Sequence, residues 1–304
     1  MSADKSFSYE LKCELSRSIN QARHCRIAEL AGIISHLGNI RTYPEGRCII
    51  LNAEHELPLI TAASLVKVLF NIKCDPEESD QLTGMQKYEL MLPTGPESEK
   101  VLETLKFGEG WISFLTQKNC CKQSFLRGLF IAAGTVADPE KSYQLDFVCK
   151  SGIEAQNVSA LLKSLGFDPK LNIRREYHVV YIKESEAISE LLGLMGARVS
   201  LLKLENARIV KEVRGNVNRR VNCETANIKK TAAASAKLLE DIELIKSTIG
   251  LESLTNGLDE IARLRLEYPT STLQELGEML DPPLGKSGVN HRLRKISSIA
   301  ETLK

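Results

Sequence analysis

Leu30-Ala-Gly-Ile-Ile-Ser-His-Leu-Gly38 and Leu126-Arg-Gly-Leu-Phe-Ile-Ala-Ala-Gly134 are two versions of one nine-residue theme, and they decide the fold. Both place glycine third and ninth and are otherwise mostly apolar. Around the first, apolar or small residues fall at 27, 28, 30, 31, 33, 34 and 37, too many for a helix with one buried stripe. The spacing predicts a helix over 23–36 buried on more than one side, with its counterpart over 123–137. Helix backbones approach closely only where side-chain bulk is absent. Ala31, Gly32, Gly128 and Ala132 offer such positions.

The same order of elements follows each segment. After the first come β-like stretches at 39–43 and 47–51 about a Pro44-Glu45-Gly46 turn, then a helix over 58–70. Strand-like stretches near 71–74 and 87–92 and a short helix over 97–105 close the copy. After the second, a strand at 143–149, a helix over 153–165, a hairpin of 171–175 with 178–183, and a helix over 185–195 repeat it. A strand is expected after 137. The fold class is α+β, with αββαββα used twice, at about 20–105 and 121–197, inside a first domain of residues 1–203.

The two nine-residue segments resemble the pattern that names the LAGLIDADG homing endonucleases. That resemblance implies paired seam helices at a pseudo-two-fold axis and two sheets forming a saddle over DNA. In that family the eighth letter is an acid that holds the catalytic metal. Here the eighth positions are Leu37 and Ala133, which cannot ligate a divalent cation. The nearest acids beyond them are Glu45, past a strand, and Asp138, in a turn before Pro139. A metal-dependent homing endonuclease is therefore the disfavoured alternative. No catalytic residue, metal or cofactor is expected.

Composition narrows the rest. The 304 residues are 43% hydrophobic and 26% charged, with a formal net charge of +1, so any nucleic-acid surface must be local. The start lacks an apolar leader core and no apolar run is long enough for a bilayer, which suggests a cytoplasmic, nucleoid-associated protein without membrane contact. The eight cysteines form no Cys-x-x-Cys. Adjacent Cys120 and Cys121 are poorly spaced for zinc, so reduced thiols are expected.

Beyond about residue 203 the composition changes. Residues 208–230 hold seven basic side chains against two acids, with four asparagines, and an Ala-rich helix follows to about 249. This connector, 204–250, offers Arg214, Arg219, Arg220, Lys229 and Lys230 as phosphate contacts. The final domain, 251–304, carries a helix-turn-helix pattern at about 271–304. Thr272-Leu-Gln-Glu275 is a capping box opening a short helix. Residues 281–288 form a turn, and Ser287 is suited to cap a last helix with Val289, Leu293, Ile296 and Ala300 on one stripe. The expected reading residues are Thr272, Lys286, Ser287, Asn290, His291, Arg292, Arg294 and Lys295, with arginine suited to guanine and asparagine to adenine in the major groove of double-stranded DNA.

The degenerate repeats, the stretch from Asn218-Arg-Arg-Val-Asn-Cys-Glu to Lys230, and Leu284-Gly-Lys-Ser-Gly-Val-Asn-His-Arg-Leu-Arg-Lys-Ile296 together resemble the WhiA family across essentially the whole chain. The resemblance implies a DNA-binding regulator linked to cell division and chromosome segregation, and in actinobacteria to sporulation. It also implies a terminal domain similar to region four of bacterial sigma factors. A protein partner docking on the repeat domain is a further reading that the sequence leaves open, as it does the oligomeric state.

Overall fold

A computed structural model describes residues 6–18, 20–78, 88–108 and 110–304. The chain forms two compact units, Met1–Glu212 and Val213–Lys304. In the first, α1 (Phe7–Arg17) precedes α2 (Arg23–Leu37), β1 (Gly38–Tyr43), β2 (Gly46–Ala53), α3 (Leu57–Phe70), β3 (Glu77–Glu78), β4 (Tyr88–Met91) and α4 (Pro96–Leu105). After the short α5 (Trp111–Leu115), the order recurs as α6 (Asn119–Ala133), β5 (Gly134–Val136), β6 (Leu145–Cys149), α7 (Gly152–Lys163), β7 (Lys170–Arg174), β8 (Tyr177–Ile182) and α8 (Ser185–Met195). Both sheets are antiparallel and four-stranded, with the same strand order: β1-β2-β4-β3 and β5-β6-β8-β7. The αββαββα repeat is thus matched element for element.

Four expectations need correcting. The second seam helix stops at Ala133 instead of continuing to 137, and the strand expected after 137 forms before it, at Gly134–Val136, because Gly134 enters a ladder opposite Phe147 and β-branched Thr135 and Val136 suit a strand better than a helix. The same helix starts at Asn119, earlier than 123. Residues 71–74 form no strand: Asn71 caps α3 in a left-handed conformation (φ 60°), and the edge pairing comes later, at Glu77–Glu78 against β4. Lys87, placed at the head of the next strand, lies outside the described residues. The sequence reading also missed α1, although Leu11 and Leu15 at i, i+4 after the capping Ser6 are an amphipathic helix signal.

The seam between α2 and α6 is the most extensive helix contact in the fold. Both helices are buried around much of their circumference, including Leu30, Ala31, Ile33, Leu126, Phe130 and Ile131. At the crossing, a Cβ on Gly32 would lie 2.2 Å from the Phe125 carbonyl oxygen, and one on Gly128 would lie 2.0 Å from that of Glu29. The two clashes are related by the repeat: each glycine rests on the carbonyl three residues ahead of the other. Real side chains never approach backbone this closely, so the third letter of each nine-residue segment is required by geometry.

One ionic contact is built into this seam. Glu29 (1% exposed) faces Arg127, whose Nε lies 3.0 Å from Glu29 Oε1. Arg127 also donates from Nη2 to the Leu15 carbonyl at 2.7 Å, tying α1 to both seam helices. Among the described residues Glu29 Oε2, which is buried, has no hydrogen-bond partner. Burial therefore outweighs the arginine and pushes the carboxyl up to about 7.

A single α-helix, α9 (Arg198–Thr248), runs out of the first unit into the second. Glu14 of α1 caps its start, accepting from the Val199 and Ser200 backbone N–H groups at 2.7 and 2.9 Å, a favourable place for a carboxylate. In the second unit, α10 (Leu258–Glu267), α11 (Leu273–Glu278) and α12 (Lys286–Thr302) enclose a separate core with the end of α9. Ile242, Ile245, Ile261, Leu276, Val289 and Ile296 are at most 0% exposed there.

Two outcomes test the seam. Gly128→Ala should force α2 and α6 apart at a cost of about 3 kcal/mol or more, seen as a fall of roughly 6–12 °C in Tm of the repeat unit. An unchanged melt would mean that the helices do not touch there. The raised Glu29 value has a definite sign: the native state holds the extra proton between the unfolded value of about 4.5 and about 7. Its contribution is complete below the lower value and is lost as pH rises through the upper one, by up to about 3 kcal/mol. Melting from pH 5 to 8 should show the wild type losing stability relative to Glu29→Gln, and parallel curves would refute the assignment.

Candidate nucleic-acid interface

The foot of the seam is where a nuclease of this fold would hold its metal. Leu37 and Ala133 sit there, each 7% exposed, and provide no oxygen ligand. Asp138 is not an external substitute, because its carboxylate accepts from the Glu140 backbone N–H at 3.0 Å and closes its own turn. One acid does approach from elsewhere: Glu154 on α7 lies 3.0 Å from His36 Nδ1 and accepts from the Lys150 N–H at 2.7 Å. It is a lone carboxylate with both oxygens already engaged. Among the described residues, the only group of three or more His, Cys, Asp or Glu side chains arranged to hold a cation lies at the opposite end of these helices.

The second unit presents a different surface. Thr272 is the N-cap of α11 and its capping box is complete: the hydroxyl accepts from the Glu275 N–H at 3.3 Å, and Glu275 Oε2 accepts from the Thr272 N–H at 2.7 Å. Those bonds hold the Glu275 carboxyl below the usual carboxylate range. The sequence reading missed the residue that sets this turn. Arg265, 5% exposed on α10, donates to the carbonyls of Ser271 at 2.7 Å and Pro269 at 3.4 Å, fixing the approach to α11. The tight return to α12 is closed by Leu284 N–H donating to the Gly277 carbonyl at 2.9 Å. A Cβ at Gly277 would lie 2.0 Å from the Leu284 oxygen, so only glycine fits.

On α12 the expected stripe is buried as a unit: Val289, Leu293, Ile296 and Ala300 are at most 4% exposed. Rotation at 100° per residue then turns Ser287, His291, Arg294, Lys295 and Ser298 outward, and all five are exposed. Lys286 is exposed at the first turn and Asn290 is half-buried beside it. Two expectations change. Ser287 does not cap the helix, which starts one residue earlier at Lys286 with Gly285 as N-cap. Arg292 turns back toward its own unit, where Nη1 donates to the Gly257 carbonyl at 3.3 Å.

The basic stretch of α9 opens to solvent only past its first turns: Arg208 is half-buried and paired with Glu186 and Glu205, and half-buried Lys211 lies over the Tyr143 ring. Arg214, Arg219, Arg220, Lys229 and Lys230 are all exposed. Arg219 donates to Asn216 Oδ1 and Arg220 to Glu224 Oε1 at 3.0 Å, while among the described residues no hydrogen bond or ion pair engages Arg214, Lys229 or Lys230. Among the described residues no helix is long and apolar enough to cross a membrane.

Fold and surface together define a class: a doubled LAGLIDADG-like domain without its acids, joined to a helix-turn-helix domain. Comparison with known proteins makes the class specific. The family model for the WhiA LAGLIDADG-like domain matches residues 122–214, and that for the WhiA C-terminal HTH domain matches 217–300. The chain is 42% identical over 98% of its length to a protein of Lachnoclostridium phytofermentans named as a probable cell division protein WhiA, covering 99% of that relative. A relative of the same name from Lachnospira eligens is 40% identical, with 98% of each chain covered. The crystal structure of full-length WhiA from Thermatoga maritima superimposes with a TM-score of 0.61 at 26% identity, covering 98% of this chain and 99% of that one. The chain belongs to the WhiA family.

Proposed function

We propose that this chain is a non-enzymatic, sequence-specific DNA-binding protein that regulates transcription in connection with cell division and chromosome segregation. The carrying observation is the outward face of α12. Among the described residues His291, Arg294 and Lys295 have no hydrogen-bond or ion-pair partner, while the opposite stripe is locked in the core. A helix held this way and opened by a short helix and tight turn is suited to lie in a major groove. Arg294 and Asn290 then address base edges, and Lys286, Ser287 and Thr272 lie at the end of the motif nearest the backbone. Arg214, Arg219, Arg220, Lys229 and Lys230 supply sequence-independent phosphate contacts. The repeat unit serves as a scaffold, a secondary DNA surface or a protein-docking platform. The names of the relatives support the link to division.

Selection of bound fragments from genomic DNA would yield the preferred site, and binding titrations would then apportion the residues. Arg294→Ala should cost roughly 1–3 kcal/mol at that site and relax the preference at one position. Arg292→Ala should act mainly through thermal stability, since that side chain holds Gly257. Changing Arg219 and Arg220 together should lower the slope of log affinity against log salt by up to about two units without changing the preferred sequence. Equal losses on every DNA for Arg294→Ala would move that residue to the phosphates, and the absence of any preferred sequence would overturn the reading.

A nuclease reading gives a different outcome. With Leu37 and Ala133 at the acid positions, incubation with Mg²⁺ or Mn²⁺ should leave supercoiled and linear DNA intact. Cleavage that copurifies with the chain and disappears in Glu154→Gln or Asp138→Asn would refute the non-enzymatic assignment.

A further inference from the structure

The cysteines that sequence spacing kept apart meet at the head of the seam. His24 and Cys25 are the second and third residues of α2, and Cys120 and Cys121 are the second and third residues of α6. Each pair stands six residues ahead of its nine-residue segment, so the repeat symmetry maps one pair onto the other. Cys120-Cys121 by itself is badly spaced for zinc. A second adjacent pair, brought in across the pseudo-two-fold axis, completes a set of four.

We propose that His24, Cys25, Cys120 and Cys121 form a zinc site that staples the two repeats together. Their four ligand atoms all lie within 4.8 Å of one another. His24 Nδ1 is 3.2 Å from Cys121 Sγ and 3.3 Å from Cys25 Sγ. Tetrahedral zinc with Zn–S of about 2.3 Å and Zn–N of about 2.0–2.1 Å has ligand edges of about 3.5 Å between N and S and about 3.8 Å between sulfurs. The side chains are thus already gathered to within a few tenths of an ångström of those edges at the contacts given. One imidazole and three thiols make a soft donor set, which selects zinc over magnesium or calcium.

Burial supports a structural rather than a catalytic role. Cys25 and Cys121 are 2% and 4% exposed, while His24 and Cys120 lie at the rim, open to an entering ion. Four protein ligands leave no position for substrate. Binding converts the three thiols to thiolates, releases their protons to solvent, and leaves the imidazole neutral, giving a centre of net charge −1. Both helices direct their free N–H groups toward that end, where negative charge is favoured. The bound ion closes a long chain loop between the repeats, which a cross-link stabilises through the unfolded state.

The site is independent of DNA binding, so the test is carried out on reduced full-length protein without DNA. Metal-free protein titrated with Co²⁺ should bind one equivalent, develop the visible absorption of a tetrahedral thiolate complex, and lose it on addition of Zn²⁺. Cys120→Ser and His24→Gln, both at the rim where the fold tolerates change, should each weaken binding by at least about tenfold. Cys223→Ser, exposed on α9, should have no effect. The absence of a tetrahedral cobalt spectrum, binding unaltered by Cys120→Ser, or isolation of metal-free protein with Cys25 and Cys121 joined as a disulfide would each overturn the proposal.

Discussion

Backbone contact between α2 and α6 at Gly32 and Gly128 is the constraint from which the rest of the first unit follows. Because each glycine rests on a carbonyl of the other helix, the pair is fixed in distance, rotation and register at once. The first strand of each repeat starts at the residue after its seam helix, Gly38 after Leu37 and Gly134 after Ala133, so the sheets inherit that placement directly. The buried contact of Arg127 with Glu29 and the Leu15 carbonyl extends the same fixed point to α1. Through Glu14, α1 in turn anchors the start of α9. A chain of short-range contacts therefore leads from one crossing to the long helix.

The family likeness and the chemistry separate at the two ends of these helices. The scaffold survives where sterics demand it, in the glycines and the apolar faces. At the foot, Leu37 and Ala133 are packed as core residues, and the seam there is held by apolar contact. At the head, a symmetric His/Cys grouping has the donors that the foot lacks. The fold keeps its axis, while the thiol and imidazole donors gather at the other end of it.

Much of this was legible in the chain because local and tertiary preferences agree there. The seam helices, both hairpins and the α12 stripe carry strong periodicity, and the capping box at Thr272 is formed as its four residues suggest. The failures have separate physical causes. The end of α6 was misplaced because sheet pairing at Gly134 overrides an otherwise helical pattern. Residues 71–74 alternate polar and apolar as a strand would, but Asn71 turns the chain first. Arg292 looks like its neighbours in a basic run, and only the fold shows it turned inward to Gly257. The head-of-seam cluster was hidden because ligand spacing was read along one segment; comparing the two repeats in register would have aligned His24-Cys25 with Cys120-Cys121.

The long helix α9 has a consequence of its own. Between Glu205 and Glu240 it buries no residue, and Gly215 lies within that span at a cost of about 1 kcal/mol relative to alanine. Val213, Val217, Val221 and Ile228 stand in water, more than half exposed. Packing therefore secures the helix only at its extremities, and the interior turns persist by intrinsic propensity and local pairs such as Arg220 with Glu224. With no core contact to hold them, the amides of these middle turns are expected to exchange faster than those of either core, and a polyanion laid along the basic turns would support the very segment that packing leaves unsupported.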